Sequence, residues 1–243
     1  MIESSRLAAH TWLRHGLTTR SDGSVGPATS ERADATRRDA VAALGGTPTR
    51  LVNGHQVHGA TVATVGADRA GTTVPETDGL VTSEPDLPLM VQGADCPLLL
   101  LAAPDVRTIA AVHSGWRGTV AGIGAAAVAA LAAKGAARDR IEAAVFPGIG
   151  PCCFEVGPEV VTAFEGVFGA LVDAWHTAST GRPDCRLLDL AAAIRATLVD
   201  AGVGSASIDV VTGCTACGGR LWSHRASDGA PERHGLFAVI AAV

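Results

Sequence analysis

Residues 87–92, 98–102 and 108–112 are short apolar runs closed off by proline, aspartate and glycine, the pattern of buried strands, and are expected to form the centre of one sheet. Residues 50–57 and 60–65 read as two further strands, with Gln56-Val57-His58-Gly59 at their junction. The pattern also places strands at 141–146, 207–211 and 236–242. Helical patterning covers 31–44, where Gly45 and Gly46 end it, and 119–134, where Thr119 serves as N-cap and Val120, Ile123, Val128 and Leu131 stand among alanines. A further helix starts after Pro158, and another at Asp189, with Leu190, Ile194 and Leu198 on one face up to Gly202. Asp22, Gly23, Ser24, Gly26 and Pro27 mark an early loop. Strands and helices mix without regular alternation. That order predicts an α+β fold, a layered α/β sandwich with a mixed sheet, in place of a doubly wound parallel one. No G-x-G-x-x-G follows a strand and no Walker loop is present. Neither a repeat nor a Pro/Ser-rich linker divides the chain, so residues 1–243 are expected to form a single domain.

Composition narrows the classes. The chain is 47% hydrophobic and 18% charged, enough to bury a sizeable core. No apolar run reaches the roughly 18 residues of a membrane span. His10, Arg14 and His15 interrupt the stretch that a secretory signal keeps apolar, so a cytoplasmic protein without a membrane partner is expected. A net charge of -5 with no basic run gives no footprint for a nucleic-acid backbone. The six cysteines are too sparse for a disulfide framework, which leaves metal ligation or catalysis as their chemistry. Cys152 and Cys153 are adjacent and bridge each other poorly. Cys214-x2-Cys217 is a single pair that needs two more ligands to hold zinc, and Cys217 reads as an inert thiol.

Three polar residues fall where strands end: His58, Cys96 in the Gly93-Ala94-Asp95-Cys96-Pro97 turn, and His113. Two imidazoles and a thiolate suit zinc, and if the strand ends converge they make a three-ligand site with its fourth position open, the catalytic form. Spacing alone does not bring them together, and the alternative of three satisfied polar groups stands beside it. His113 is followed by Ser114-Gly115-Trp116-Arg117-Gly118-Thr119 and a helix. Exposed amides there, with the Arg117 guanidinium, read as a phosphate or anion site. The Pro- and Gly-dense segment 146–157 reads either as a site loop or as a plain connection.

Taken in order, Gln56-Val57-His58-Gly59, Ala94-Asp95-Cys96-Pro97, His113-Ser114-Gly115-Trp116-Arg117-Gly118, Ile149-Gly150-Pro151-Cys152-Cys153-Phe154-Glu155-Val156-Gly157 and the late Cys214-Thr215 resemble the YfiH-type laccase-domain family. Members of that family are variously named polyphenol oxidase, peptidoglycan editing factor and purine nucleoside phosphorylase. The resemblance spans roughly residues 11–240. It implies a single-domain YfiH-like sandwich in which His58, Cys96 and His113 bind zinc, with copper as the other occupant. It also implies phosphorolysis of adenosine, inosine and methylthioadenosine, with adenosine deaminase activity beside it. The partners are then a purine nucleoside and phosphate, with monomer and dimer both open. Catalytic roles fall to Cys96, His58 and His113, and to Asp78 and Asp95 as acid–base carboxylates or, equally, turn caps. Binding of substrate or phosphate falls to Gln56, Arg117, Gly118, Thr119 and Arg225, while Arg233 is not carried over. The chain departs from the family pattern at Phe146, in a shortened segment after Arg20, and in Trp222-Ser223-His224-Arg225-Ala226.

Three rival chemistries use the same residues. A trinuclear copper oxidase needs paired H-x-H histidines, whereas the chain has eight histidines and no such pair; of its two methionines, Met1 and Met90, neither is known to be axial. A cysteine-type hydrolase editing peptidoglycan precursors would use Cys96 as nucleophile and His113 or His58 as base. A non-enzymatic binder would keep its function in Cys96→Ala.

Overall fold

In this computed structural model, which describes residues 1–27, 29–179 and 181–242, the chain begins with β1 (Leu13–Leu17), α1 (Glu31–Ala43), β2 (Val52–Gly54), β3 (Val62–Thr64), β4 (Thr73–Val74) and β5 (Gly79–Thr82). The centre holds β6 (Leu89–Gly93), β7 (Leu98–Ala103), β8 (Thr108–His113), α2 (Trp116–Val120), α3 (Ile123–Ala133) and β9 (Glu142–Val145). It ends with β10 (Glu155–Val156), α4 (Pro158–Phe168), β11 (His176–Ala178), β12 (Arg186–Leu188), α5 (Leu190–Asp200), β13 (Ile208–Val210) and β14 (His234–Ile240). No helix among the described residues is long and apolar enough to cross a membrane.

Two large sheets carry the fold, one of five strands in the order β1-β14-β6-β2-β4 and one of six in the order β13-β9-β7-β8-β5-β3. Both are mixed: β2 runs parallel to β4 and β6, β13 to β9 and β3 to β5, while the central pairs are antiparallel. The α+β architecture with mixed sheets is therefore the observed one. Every residue of β7 and β8 is buried because this hairpin is covered on both faces. Leu98, Leu100 and Ala102 alternate with Leu99, Leu101 and Ala103, and the two sets enter different cores. The first set meets Leu89, Val91, Leu236 and Ala238 between the sheets. The second packs on Ile123, Val128 and Leu131 of α3 and Ile194 and Leu198 of α5. On the far face of the five-stranded sheet, Ala40 and Val41 of α1 cover Met90 and Phe237.

Three expectations need correction. The apolar runs at 87–92, 98–102 and 108–112 do not share a sheet: β6 joins β14 and β2, whereas β7 and β8 pair in the other layer. The Gly93–Pro97 turn carries the chain across, and a hydrophobic run does not encode which sheet it joins. The helix expected over 119–134 is two helices, parted at Gly122, whose φ of +83° stops α2. Thr119 lies inside α2, and Gly115 is the N-cap. Strand β5, which has no counterpart among the expected strands, begins at Gly79, directly after Asp78. Other boundaries follow local chemistry: the Ser30 and Asp189 side chains accept from Ala33 and Ala192 N–H to start α1 and α5, and Gly45 and Gly202 end them in the left-handed region.

His234, at the start of β14, is fully buried and neither ring nitrogen has a partner. Burial, aided by the Arg233 charge and opposed by Asp95, pushes its pKa down to about 4 from 6.5. Between those values the unfolded chain binds a proton that the folded chain refuses, so stability is lost as pH falls through this window. We expect His234→Leu to flatten the stability–pH curve between pH 6.5 and 4, removing a loss of up to about 3 kcal/mol, as read by urea unfolding at several pH values. An unchanged slope would mean that other groups carry the proton uptake.

Candidate metal centre

The loop after β2, the turn between β6 and β7, and the end of β8 bring His58, Cys96 and His113 together. Their ligand atoms lie within 4.8 Å of one another, a spacing that a shared tetrahedral ion closes with shifts of about 1 Å. The His58 and His113 rings meet edge to face with centroids 4.9 Å apart. Asp78, directly before β5, organises the group. Its carboxylate accepts from the N–H groups of Val57, His58 and Gly59 at 3.0, 3.0 and 2.9 Å, and from His113 Nδ1 at 2.8 Å. That bond commits Nδ1 and leaves His113 Nε2 for the cluster, the carboxylate–histidine arrangement that orients a metal-binding imidazole.

Two residues of this site adopt a left-handed backbone without being glycine, His58 with φ 61° and Asp95 with φ 91°. Each costs on the order of 1 kcal/mol, and at His58 the three bonds to Asp78 offset it. Gly115 permits the close packing: a Cβ there would stand 2.7 Å from Cys96 Sγ. The electrostatics follow. Burial opposes ionisation of Asp78, yet His113 and the loop amides hold its carboxyl at about 2. Burial likewise opposes the Cys96 thiolate, but the two imidazoles bring its pKa down to about 6. Burial opposes protonation of His113, and the bonds to Asp78 and Cys96 raise it to about 9. At neutral pH the cluster thus pairs a Cys96 thiolate with a protonated His113, and a borderline-soft cation that displaced the His113 Nε2 proton would meet one thiolate and two imidazole nitrogens, the donor set it prefers.

The His58, Cys96 and His113 side chains line a cleft of about 470 Å³. Trp116, Phe154, Gln92, His224, Arg225 and Arg233 form much of its remaining wall. The family model described as multi-copper polyphenol oxidoreductase laccase matches residues 22–242. The chain belongs to this family. Over 201 residues, 78% of this laccase-family chain and 76% of its relative, it is 40% identical to the purine nucleoside phosphorylase of Deinococcus radiodurans. It is 37% identical over 175 residues, 69% of this chain and 66% of the relative, to adenosine deaminase RL5 of an unknown prokaryotic organism. The crystal structure of YlmD from Geobacillus stearothermophilus superposes with a TM-score of 0.90 at 28% identity, covering 98% of this chain and 94% of that one.

The remaining sequence candidates of this laccase-family chain fall into two groups. Gln56 lines the cleft, but its amide is spent on backbone: Nε2 donates to Gln92 O and Oε1 accepts from Gln92 N, both at 2.8 Å. Asp95 also lines it, with Oδ1 accepting from Thr215 Oγ1 at 2.5 Å and Oδ2 from Arg225 N at 2.7 Å. Arg225 reaches the wall beside Phe154, its guanidinium 5.9 Å from that ring centroid. By contrast Arg117, Gly118 and Thr119 are not among the described residues lining the cleft. Arg117 lies 4.3 Å from the Trp116 ring centroid. A Cβ on Gly118 would stand 2.9 Å from Gly59 O, and Thr119 Oγ1 donates to Gly115 O at 3.0 Å. With only five residues, α2 is also too short to offer a dipole worth an anion site. The cleft's cationic side chains are Arg225 and Arg233 instead. Sequence reasoning set Arg233 aside because the motif at 222–226 matches only approximately, although its place at the mouth of an apolar strand was a usable signal.

Asp78→Asn keeps the shape of this site but removes the charge that orients His113. Metal affinity is expected to fall roughly 10- to 100-fold, measured by competition with a chromogenic chelator. Unchanged affinity would limit Asp78 to holding the His58 loop.

Proposed function

We propose that this protein is a zinc-dependent purine nucleoside phosphorylase acting on adenosine, inosine and methylthioadenosine, with adenosine deaminase activity in the same cleft, the whole chain forming one laccase-domain-type unit. One observation carries the reading: a cluster of two histidines and one cysteine forms the floor of a cleft that also offers aromatic rings and arginines. The names of the Deinococcus radiodurans and RL5 relatives point to the same two reactions. A cytoplasmic setting accords with six cysteines that are all unpaired.

His58, Cys96 and His113 are the residues that hold the ion, and their chemistry fits zinc better than blue copper. No methionine is among the described residues that line the cleft, and Met90 is buried under α1 with Val41 and Phe237. When bound, zinc supplies Lewis acidity and acidifies a ligating water. The protein's own groups do the rest. Trp116 and Phe154 line the cleft and supply aromatic surface for a purine, whose stacking is worth about 1–3 kcal/mol per base. Arg225 and Arg233 hold phosphate through charge-assisted hydrogen bonds, so that its oxygen approaches the ribose carbon as the bond to the purine breaks. Asp78 keeps the His113 tautomer, and Asp95 fixes the Arg225 backbone. Four hydrogen bonds occupy Asp78, so Asp95, which accepts two, and His224, which also lines the cleft, are the groups placed to pass a proton to the departing purine.

The test is to incubate the metal-analysed protein with adenosine, with and without phosphate, and separate the products by chromatography. Adenine is expected only with phosphate and inosine without it, and Cys96→Ala loses both along with the zinc of this cleft. Absence of both products from a protein that carries stoichiometric zinc would overturn the reading. The low pKa of the Cys96 thiol beside His113 favours a second reading, a cysteine hydrolase acting on peptidoglycan precursors. There, alkylation of Cys96 would proceed without a chelator, whereas zinc ligation makes it chelator-dependent.

A further inference from the structure

Four more thiols converge outside the cleft. Cys152 and Cys153 follow the 147–151 loop, Cys214 and Cys217 sit in the turn after β13, and the four Sγ atoms lie within 4.8 Å of one another. The C-x2-C pair thus meets the two further ligands it lacks in sequence, and Cys217, expected to be inert, is one corner of a group of four. None of the four is in a disulfide. The Cys152 and Cys217 sulfurs are 3.7 Å apart. Sulfurs bound at about 2.3 Å to a tetrahedral zinc stand about 3.8 Å apart along each edge.

The backbone is shaped around the sulfurs. Gly150 N–H donates to Cys214 Sγ at 3.2 Å, the kind of amide–sulfur bond that stabilises a thiolate. A Cβ on Gly150 would stand 3.2 Å from Cys214 Cβ and 3.4 Å from Cys152 Sγ, so a side chain here would press on Cys214 by a few tenths of an ångström. On the other side, Gly218 N–H donates to Cys214 O at 2.9 Å and Gly219 turns away with φ +70°, closing a tight Cys-x-x-Cys-Gly-Gly turn. Vicinal Cys152 and Cys153 make a strained disulfide partner for each other, but as separate ligands they need no such geometry.

We propose that Cys152, Cys153, Cys214 and Cys217 form a second, structural metal site that takes one zinc ion in a closed tetrahedron of four thiolates. It shares no ligand with the His58–Cys96–His113 cluster and does not rest on the reading of the cleft. Its effect is to clasp two loops that reach the cleft wall. Thr215, between the paired cysteines, donates to Asp95 Oδ1 and its N–H donates to Gly148 O at 3.0 Å, while Phe154 directly follows Cys153. Ligation by four thiolates releases their protons and changes no oxidation state, so the site needs no redox partner.

Zinc content of the full chain purified under reducing conditions tests the assignment. Roughly two equivalents are expected in the native protein, about one in Cys214→Ser/Cys217→Ser and about one in Cys96→Ala. Cobalt added to metal-free Cys96→Ala should give the intense sulfur-to-metal charge-transfer bands of an all-thiolate tetrahedral site. That second measurement decides alone if the double serine variant fails to fold, because all four thiols are then intact. Native zinc retained in Cys214→Ser/Cys217→Ser, no thiolate bands in cobalt-treated Cys96→Ala, or a Cys152–Cys217 disulfide in freshly reduced and repurified protein would each overturn it.

Discussion

A buried carboxylate with four hydrogen bonds sets the geometry on which the cluster depends. Asp78 is fully enclosed, and an ionised carboxylate in that position would cost several kcal/mol without partners. Its partners are the amides of one loop and the imidazole of one strand. Because β5 pairs with β8 in fixed register, and His113 N–H also donates to Asp78 O at 2.8 Å, strand pairing places the carboxylate beside the imidazole. The carboxylate then dictates where Val57, His58 and Gly59 must lie, in a backbone conformation that His58 would otherwise avoid. Secondary structure, loop strain and ligand orientation are in this way one linked arrangement.

The apolar runs, the helix ends and the strand-end positions of His58, Cys96 and His113 were legible because each depends on neighbours a few residues away. Capping at Asp189, the stop at Gly202 and the burial of 98–103 all have local causes. What escaped depends on partners distant in sequence. Nothing within 89–93 records that β6 faces β8 across a core instead of pairing beside it. Thr119 has the chemistry of an N-cap, yet Gly122 ends one helix before the next begins, so that its hydroxyl turns to Gly115 O. Gln56 and Asp95 were recognisable as site residues but not as side chains spent on Gln92, Thr215 and the Arg225 backbone. Arg233 reaches the cleft only because β14 lies alongside β6.

The family's copper-oxidase description and the chain's donor chemistry diverge in an instructive way. Among the described residues, imidazole and thiol groups gather in two places, one with two histidines and a cysteine and one with cysteines alone. Neither resembles the histidine-rich pairs on which multinuclear copper relies. The two groups touch through Asp95, which neighbours Cys96 in sequence and accepts from Thr215 between Cys214 and Cys217. A disturbance of the thiol loops therefore reaches the cleft through this hydrogen bond and also through the hydrophobic core, against which Cys153 and Cys214 pack beside Ile149 and Phe154.

The six-residue strand Leu98–Ala103 serves two cores at once, and the same sequence has another side. Uncharged, apolar and extended, it is the kind of segment that stacks with copies of itself when a chain is newly made or partly unfolded. Its flanks answer that hazard. Pro97 and Pro104 cannot donate to a growing ladder, and Asp95 and Asp105 add charge that repels in-register neighbours. The turns that deliver Cys96 to its site and start the return to β8 therefore also guard the nascent chain against self-association.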